Sequence, residues 1–160
     1  MVVLDASAGI GIVCKDPVLL GFKSLIFEDE KIVAPALYEA EVGSIFSNYH
    51  LGGYIDADLA KSYAAKAVGL IDEFVDMQEM VAEATREACR LRHSAYDMFY
   101  LVLARRRGAT LLTLDKRLAK LADEAGVETA LDIDAGKHGV WTTRVTVDDL
   151  REEKQGLKLV

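Results

Sequence analysis

The chain has 160 residues, 51% of them apolar, and a formal net charge of −7, which suits one compact domain with a real core and argues against a general nucleic-acid coating protein. No apolar run approaches the roughly 18 residues that a membrane span requires, and the N-terminus reaches Asp5 with no basic region before it, so neither an anchor nor a signal peptide is expected. Cys14 and Cys89 lack metal-ligand spacing and read as small core residues of a reducing compartment, which makes the cytoplasm the expected location.

In chain order, Val2–Leu4 reads as a short buried strand, β-branched and continuous. A helical stretch follows from about Gly9, and Asp16-Pro17 marks a fresh helix start. Residues 31–34 form a second strand, and Pro35 suits the first turn of a helix that runs to about Leu51 and stops at Gly52-Gly53. Two more helices are expected over residues 57–74 and 78–92. Ser94 caps a helix from Ala95 to Arg107, which Gly108 stops. Residues 110–114 are a third strand, residues 116–124 a helix closed by Gly126, and residues 127–133 a last core strand. Beyond Asp134 the pattern changes: residues 141–147 alternate like an exposed strand and residues 148–154 are densely charged. The division is a domain over residues 1–133 and a C-terminal extension over 134–160.

Strands alternating with helices predict a three-layer α/β/α sandwich around a mainly parallel sheet. Ligands in such folds bind beyond the carboxyl ends of the strands. Asp5 and Asp115 both follow strands, so two segments distant in sequence could present acids to one crevice.

Four acids stand where a charge is awkward: Asp5, Glu41, Asp97 and Asp115. Asp5 and Asp115 end apolar runs, and Asp97 is the one charge between His93 and Arg105. Desolvating a carboxylate is expensive unless a cation compensates. No His or Cys cluster accompanies them, so oxygen ligands suggest a hard divalent ion such as Mg²⁺ or Mn²⁺. Structural uses compete. Asp115 is placed to cap the following helix, and Ser94 with Asp97 fits a capping box. Glu41 falls inside the apolar arc of its helix, between Leu37 and Ile45 and beside Ser44 and Asn48, whereas Glu39 falls outside it. Ser7 and Thr113 sit near strand ends, where a hydroxyl serves as a cap, a turn residue or a support for the acids.

Between Arg86 and Lys120 nine basic residues face only three acids. Arg92, Arg105, Arg106, Arg107 and Arg117 are candidates for contacts with backbone phosphates, which position a nucleic acid without reading its sequence. His50, His93 and His138 are spread through polar surroundings, and no nucleophilic Ser–His or Cys–His arrangement is visible.

Together these segments resemble a known pattern. Val2-Val3-Leu4-Asp5-Ala6-Ser7 resembles the first motif of PIN-domain nucleases, and the run from Pro35 through Glu41 to Ser44 resembles the second. The run from Asp97 through Gly108 and Thr113 to Asp115-Lys116-Arg117-Leu118 is similar to the third and fourth joined. Size and plainness look most like VapC-type toxins of toxin–antitoxin pairs. The resemblance implies an α/β/α sandwich, Mg²⁺- or Mn²⁺-dependent endoribonuclease activity, and metal-ligand roles for Asp5, Glu41, Asp97 and Asp115, with Ser7 and Thr113 at positions where the family often keeps a hydroxyl. It also implies RNA as substrate and a homodimer neutralised by a small antitoxin. Met98 and Ser44 depart from the commoner Ala and Asn, and residues 134–160 have no counterpart in the short toxins. A nuclease of cellular RNA processing or surveillance, or a silent PIN-like interaction module, remain alternatives. A haloacid-dehalogenase-like phosphatase would need an Asp where Ser7 stands.

Overall fold

The computed structural model describes residues 1–15 and 30–129. The segment opened by Asp16-Pro17, residues 130–133 of the expected last strand and the extension over 134–160 lie outside the described residues. Four strands form one parallel sheet: β1 (Val2–Leu4), β2 (Ile32–Pro35), β3 (Glu73–Val75) and β4 (Thr110–Leu112), in the order β3-β2-β1-β4. Among the described residues six helices accompany it: α1 (Ala6–Val13), α2 (Leu37–Leu51), α3 (Ala57–Val68), α4 (Val81–Leu91), α5 (Ala95–Arg107) and α6 (Lys116–Glu124). The architecture is the expected α/β/α sandwich.

β1 lies between β2 and β4 and is wholly buried, which is why its sequence is an unbroken apolar run rather than an alternating one. α5 lies across β1, β2 and β4, and Met98 and Tyr100 to Ala104 are buried there. Its start and stop are local. Ser94 Oγ accepts from the Tyr96 amide at 3.2 Å, and Gly108 takes the left-handed φ of 56° that ends the helix at little steric cost. α1, α2 and α3 pack on one another, and α4 and α6 flank α5. On α2 the buried side chains are Tyr38, Val42 and Phe46, the side of the apolar arc away from Leu37.

The structure corrects several boundaries. The helix expected over 57–74 ends at Val68, with Gly69 as its cap, and Glu73–Val75 is instead the edge strand β3. The sheet captures that segment: the Asp72 amide donates to the Ile32 carbonyl at 2.9 Å, and the Ile32 amide donates to Asp72 Oδ2 at 2.8 Å. A three-residue strand half-covered on its faces has too weak a period to be seen in sequence. Pro35 is the last residue of β2, opposite Val75, rather than the first turn of a helix. The ladder bond to the Val75 carbonyl comes from the Ala36 amide, so the missing proline N–H is not needed. α4 starts at Val81 because Asp76 Oδ1 accepts from the Gln78 amide and holds a turn there. Beyond Leu112 the chain leaves the ladder, the Leu114 and Asp115 amides being taken by side-chain hydroxyls. Of the expected strand at 127–133, Thr129 makes an isolated parallel bridge with Leu111.

Candidate active site

The sheet gathers the four acids from four segments. Asp5 is the first residue after β1, Glu41 lies on the second turn of α2, Asp97 on the first turn of α5, and Asp115 caps α6 after β4. All four line one cleft of about 310 Å³ beside Ser7 and Ser44. The cleft opens beyond the carboxyl ends of β1 and β4, as a parallel sheet dictates.

Asp5 is the anchor, with only 7% of its surface exposed. Its Oδ2 accepts from Thr113 Oγ1 at 2.7 Å and from Ser7 Oγ. Each hydroxyl is itself fixed by the β4–α6 turn: the Asp115 amide donates to Thr113 Oγ1 and the Leu114 amide to Ser7 Oγ, both at 3.0 Å. The turn that carries Asp115 is thereby tied to Asp5 through two relays. Thr113→Val retains the shape and removes the relay. We expect a stability loss of about 2 kcal/mol in urea unfolding.

Charge is concentrated here, and the cationic groups that oppose it, His93 and Arg117, do so at Asp97. Burial pushes the Asp5 carboxyl up, the Ser7 and Thr113 hydroxyls oppose it, and the negative charge of Asp97 adds to the rise. Glu41 is pushed up by burial and by Asp5 and Asp97, against a hydrogen bond from Tyr100. Asp97 is pushed up by burial first and by Asp115, while His93 draws it down. Three carboxylates that sense one another in a half-dry cleft are what a bound cation would relieve.

The donor set, all oxygen, fits Mg²⁺ or Mn²⁺. Among the described residues no three His, Cys, Asp or Glu side chains already converge as a ligand set. Each acid has instead turned one oxygen to the protein: Asp5 Oδ2 to the hydroxyls, Glu41 Oε2 to Tyr100, Asp97 Oδ2 to His93 and Asp115 Oδ1 to the Arg117 and Leu118 amides. Every carboxylate carries a second oxygen that a cation could take.

Not every candidate reaches the cleft. Arg105, Arg106 and Arg107 lie at the far end of α5, about 12–15 Å from Asp97 along the helix axis. Arg105 and Arg106 hold Glu83 at 2.6 and 2.7 Å, and Arg107 holds Glu73 at 2.8 Å. The helix separates them from the acids: cations gather at its C-terminus, where its dipole and the acids of α4 and β3 favour them. Arg117 stays on the acid side. Its amide caps onto Asp115, its charge reaches Asp97, and its guanidinium donates to the Arg92 carbonyl at 3.2 Å. The Arg92 side chain is exposed at the left-handed C-cap of α4.

Both structural readings of the capping acids need amendment. Asp115 does cap α6, and it lines the cleft as well. Asp97 does not complete a capping box, its Oδ2 lying 2.8 Å from His93 Nε2. His93 is therefore not in ordinary polar surroundings: its side chain is 7% exposed, and Nε2 is buried against the carboxylate without an aligned hydrogen bond. Of the seam expected beside Glu41, Ser44 borders the cleft, while Asn48 is simply exposed, as is Glu39. Sequence reasoning missed His93 and Tyr100. The available signals were their spacings from Asp97, four residues before and three after, which place neighbours on a helical path.

Among the described residues no helix is long and apolar enough to cross a membrane. The PIN domain family matches residues 2–124. The crystal structure of PAE2754 from Pyrobaculum aerophilum superposes with a TM-score of 0.64 at 23% identity, covering 82% of this chain and 90% of that one, a likeness of fold. No curated protein matches the chain.

Proposed function

Because this chain belongs to the PIN domain family, we propose that it is a divalent-metal-dependent endoribonuclease that hydrolyses RNA phosphodiester bonds at the cleft of Asp5, Glu41, Asp97 and Asp115. The observation that carries the reading is the convergence of four carboxylates from four segments on one cleft at the carboxyl edge of the sheet. A divalent ion held by these carboxylates would supply charge neutralisation at the phosphate and activation of the attacking water. The protein's own part is positional. Ser7 and Thr113 hold Asp5 at a fixed depth, and the α6 amides hold Asp115. Arg117 and Arg92 offer positive charge at the acid side, where a phosphate backbone needs it. The finer reading is a toxin of a toxin–antitoxin pair, dimeric and cytoplasmic, restrained by a small antitoxin. Support for it is the size of the chain, 160 residues, and its plainness.

The test is cleavage of a structured-RNA panel by purified protein with Mn²⁺ or Mg²⁺, beside Asp97→Asn and a chelated sample. We expect cutting that needs the metal and falls on the order of a thousandfold in the variant. Cutting that survives both controls would remove the site assignment. RNA binding without cutting would instead leave an interaction module. Growth arrest on expression, relieved by a small reading frame directly upstream, tests the toxin reading.

A further inference from the structure

Tyr100 lies on α5 one turn beyond Asp97, and its side chain is completely buried. Its hydroxyl crosses to the neighbouring helix and donates to Glu41 Oε2 at 2.5 Å. Glu41 is half-buried and repelled by Asp5 and Asp97. A carboxylate in that position gains by swinging away from its neighbours toward water, where exposed Ser44 marks the open flank of α2. The phenol opposes that rotation, and the chemistry of the donor matters. A Lys or Arg here would pair with Glu41 and neutralise it. A hydroxyl restrains one oxygen and leaves the full negative charge, and the other oxygen, for a cation.

We infer that Tyr100 is a positioning residue that holds the Glu41 carboxylate at the cleft for a divalent ion. α5 thus sets two of the four acids, Asp97 directly and Glu41 through its hydroxyl. The inference rests on the metal-dependent reading above.

Mn²⁺ titration of the full chain by calorimetry, for wild type, Y100F, E41Q and the double variant, tests it without reference to catalysis. Tyr100→Phe preserves the packed ring, so melting of the chelated protein should stay close to wild type. We expect Mn²⁺ binding to weaken roughly tenfold or more in Y100F, with no further loss when Y100F is added to E41Q. Equal affinity of wild type and Y100F would overturn the inference and leave the nuclease reading intact. The same loss in both backgrounds would also overturn it, since Tyr100 would then act through the fold and not through Glu41. Absence of Mn²⁺ binding by wild type would bring down the metal-dependent reading itself, and this inference with it.

Discussion

Asp5→Asn will lower RNA cleavage on the order of a thousandfold and, in the absence of metal at neutral pH, will unfold at a higher temperature than wild type. Asn keeps an oxygen to accept from Ser7 and Thr113, so the relay to the β4–α6 turn survives. What it removes is a charge that the fold holds at a loss. Asp5, Glu41 and Asp97 all bind their protons more tightly folded than unfolded, burial being the first cause in each. Between their ordinary values of 3.8 and 4.5 and the raised folded ones, the native state binds more protons than the unfolded chain. Stability from these groups therefore rises as pH falls through the raised folded values toward the ordinary ones. Glu73, Glu83 and Glu87 act in the other direction. Lys31, Arg105 and Arg90 hold them below 4.5, so their contribution is present above that value and is lost only as pH falls beneath it. Melting of chelated wild type should then peak on the acid side of neutral, and Asp5→Asn should flatten that limb. Mn²⁺ should raise the wild-type midpoint more at neutral pH than at 4.5, the ordinary value for Glu41, where protons already relieve the cluster. A variant no more stable than wild type at neutral pH would mean that Asp5 is not held at a cost.

Gly9→Ala will reduce unfolding free energy by about 3 kcal/mol. A Cβ there would stand 2.0 Å from Tyr38 Oη and 2.9 Å from its Cζ. Tyr38 has little freedom to withdraw, because its ring is completely buried and its hydroxyl donates to the Ala67 carbonyl at 3.0 Å. The clash must push α1 off α2, or break the link to α3. Tyr38→Phe in the same chain removes the nearer atom and leaves the ring carbon, so it should restore only part of the loss. Urea unfolding of the two single variants and the pair measures this. Equal stability of Gly9→Ala and wild type would show that α1 does not approach Tyr38 so closely. Since Ser7 is on the first turn of α1, the displacement should also reach the Asp5 relay.

The acids themselves were legible in the sequence, because a charge in an apolar run is a local contradiction. Asp5 after Val2–Leu4 and Asp97 beside Met98 and Phe99 announce themselves without any partner in view. Helical geometry likewise separated Glu41 from Glu39, and continuous apolar runs identified β1 and β4 as strands of a parallel sheet, of which β1 lies between two others and β4 at the end among the described residues. The order of the motifs pointed to the family that matches residues 2–124.

Other features arise only from contacts between distant segments, and no periodicity encodes them. β3 is a strand because Asp72 and Ile32 exchange two hydrogen bonds across 40 residues. The arginines of α5 read as phosphate ligands until the helix carries them away from Asp97 and Glu83 and Glu73 take them up. Ser7 and Thr113 were ambiguous hydroxyls until the sheet brought these two positions, 106 apart in sequence, together and set both on Asp5. Tyr100 drew no reading from the sequence and His93 read as one of three histidines in polar surroundings, and only the tertiary contacts set them against Glu41 and Asp97. The sequence by itself determined which residues carry the charge, since desolvation penalises a carboxylate wherever the chain buries it. The tertiary structure decided which neutral groups hold those charges in place, since a hydroxyl is equally at home in a cap, a turn or a core and declares its use only by what it touches.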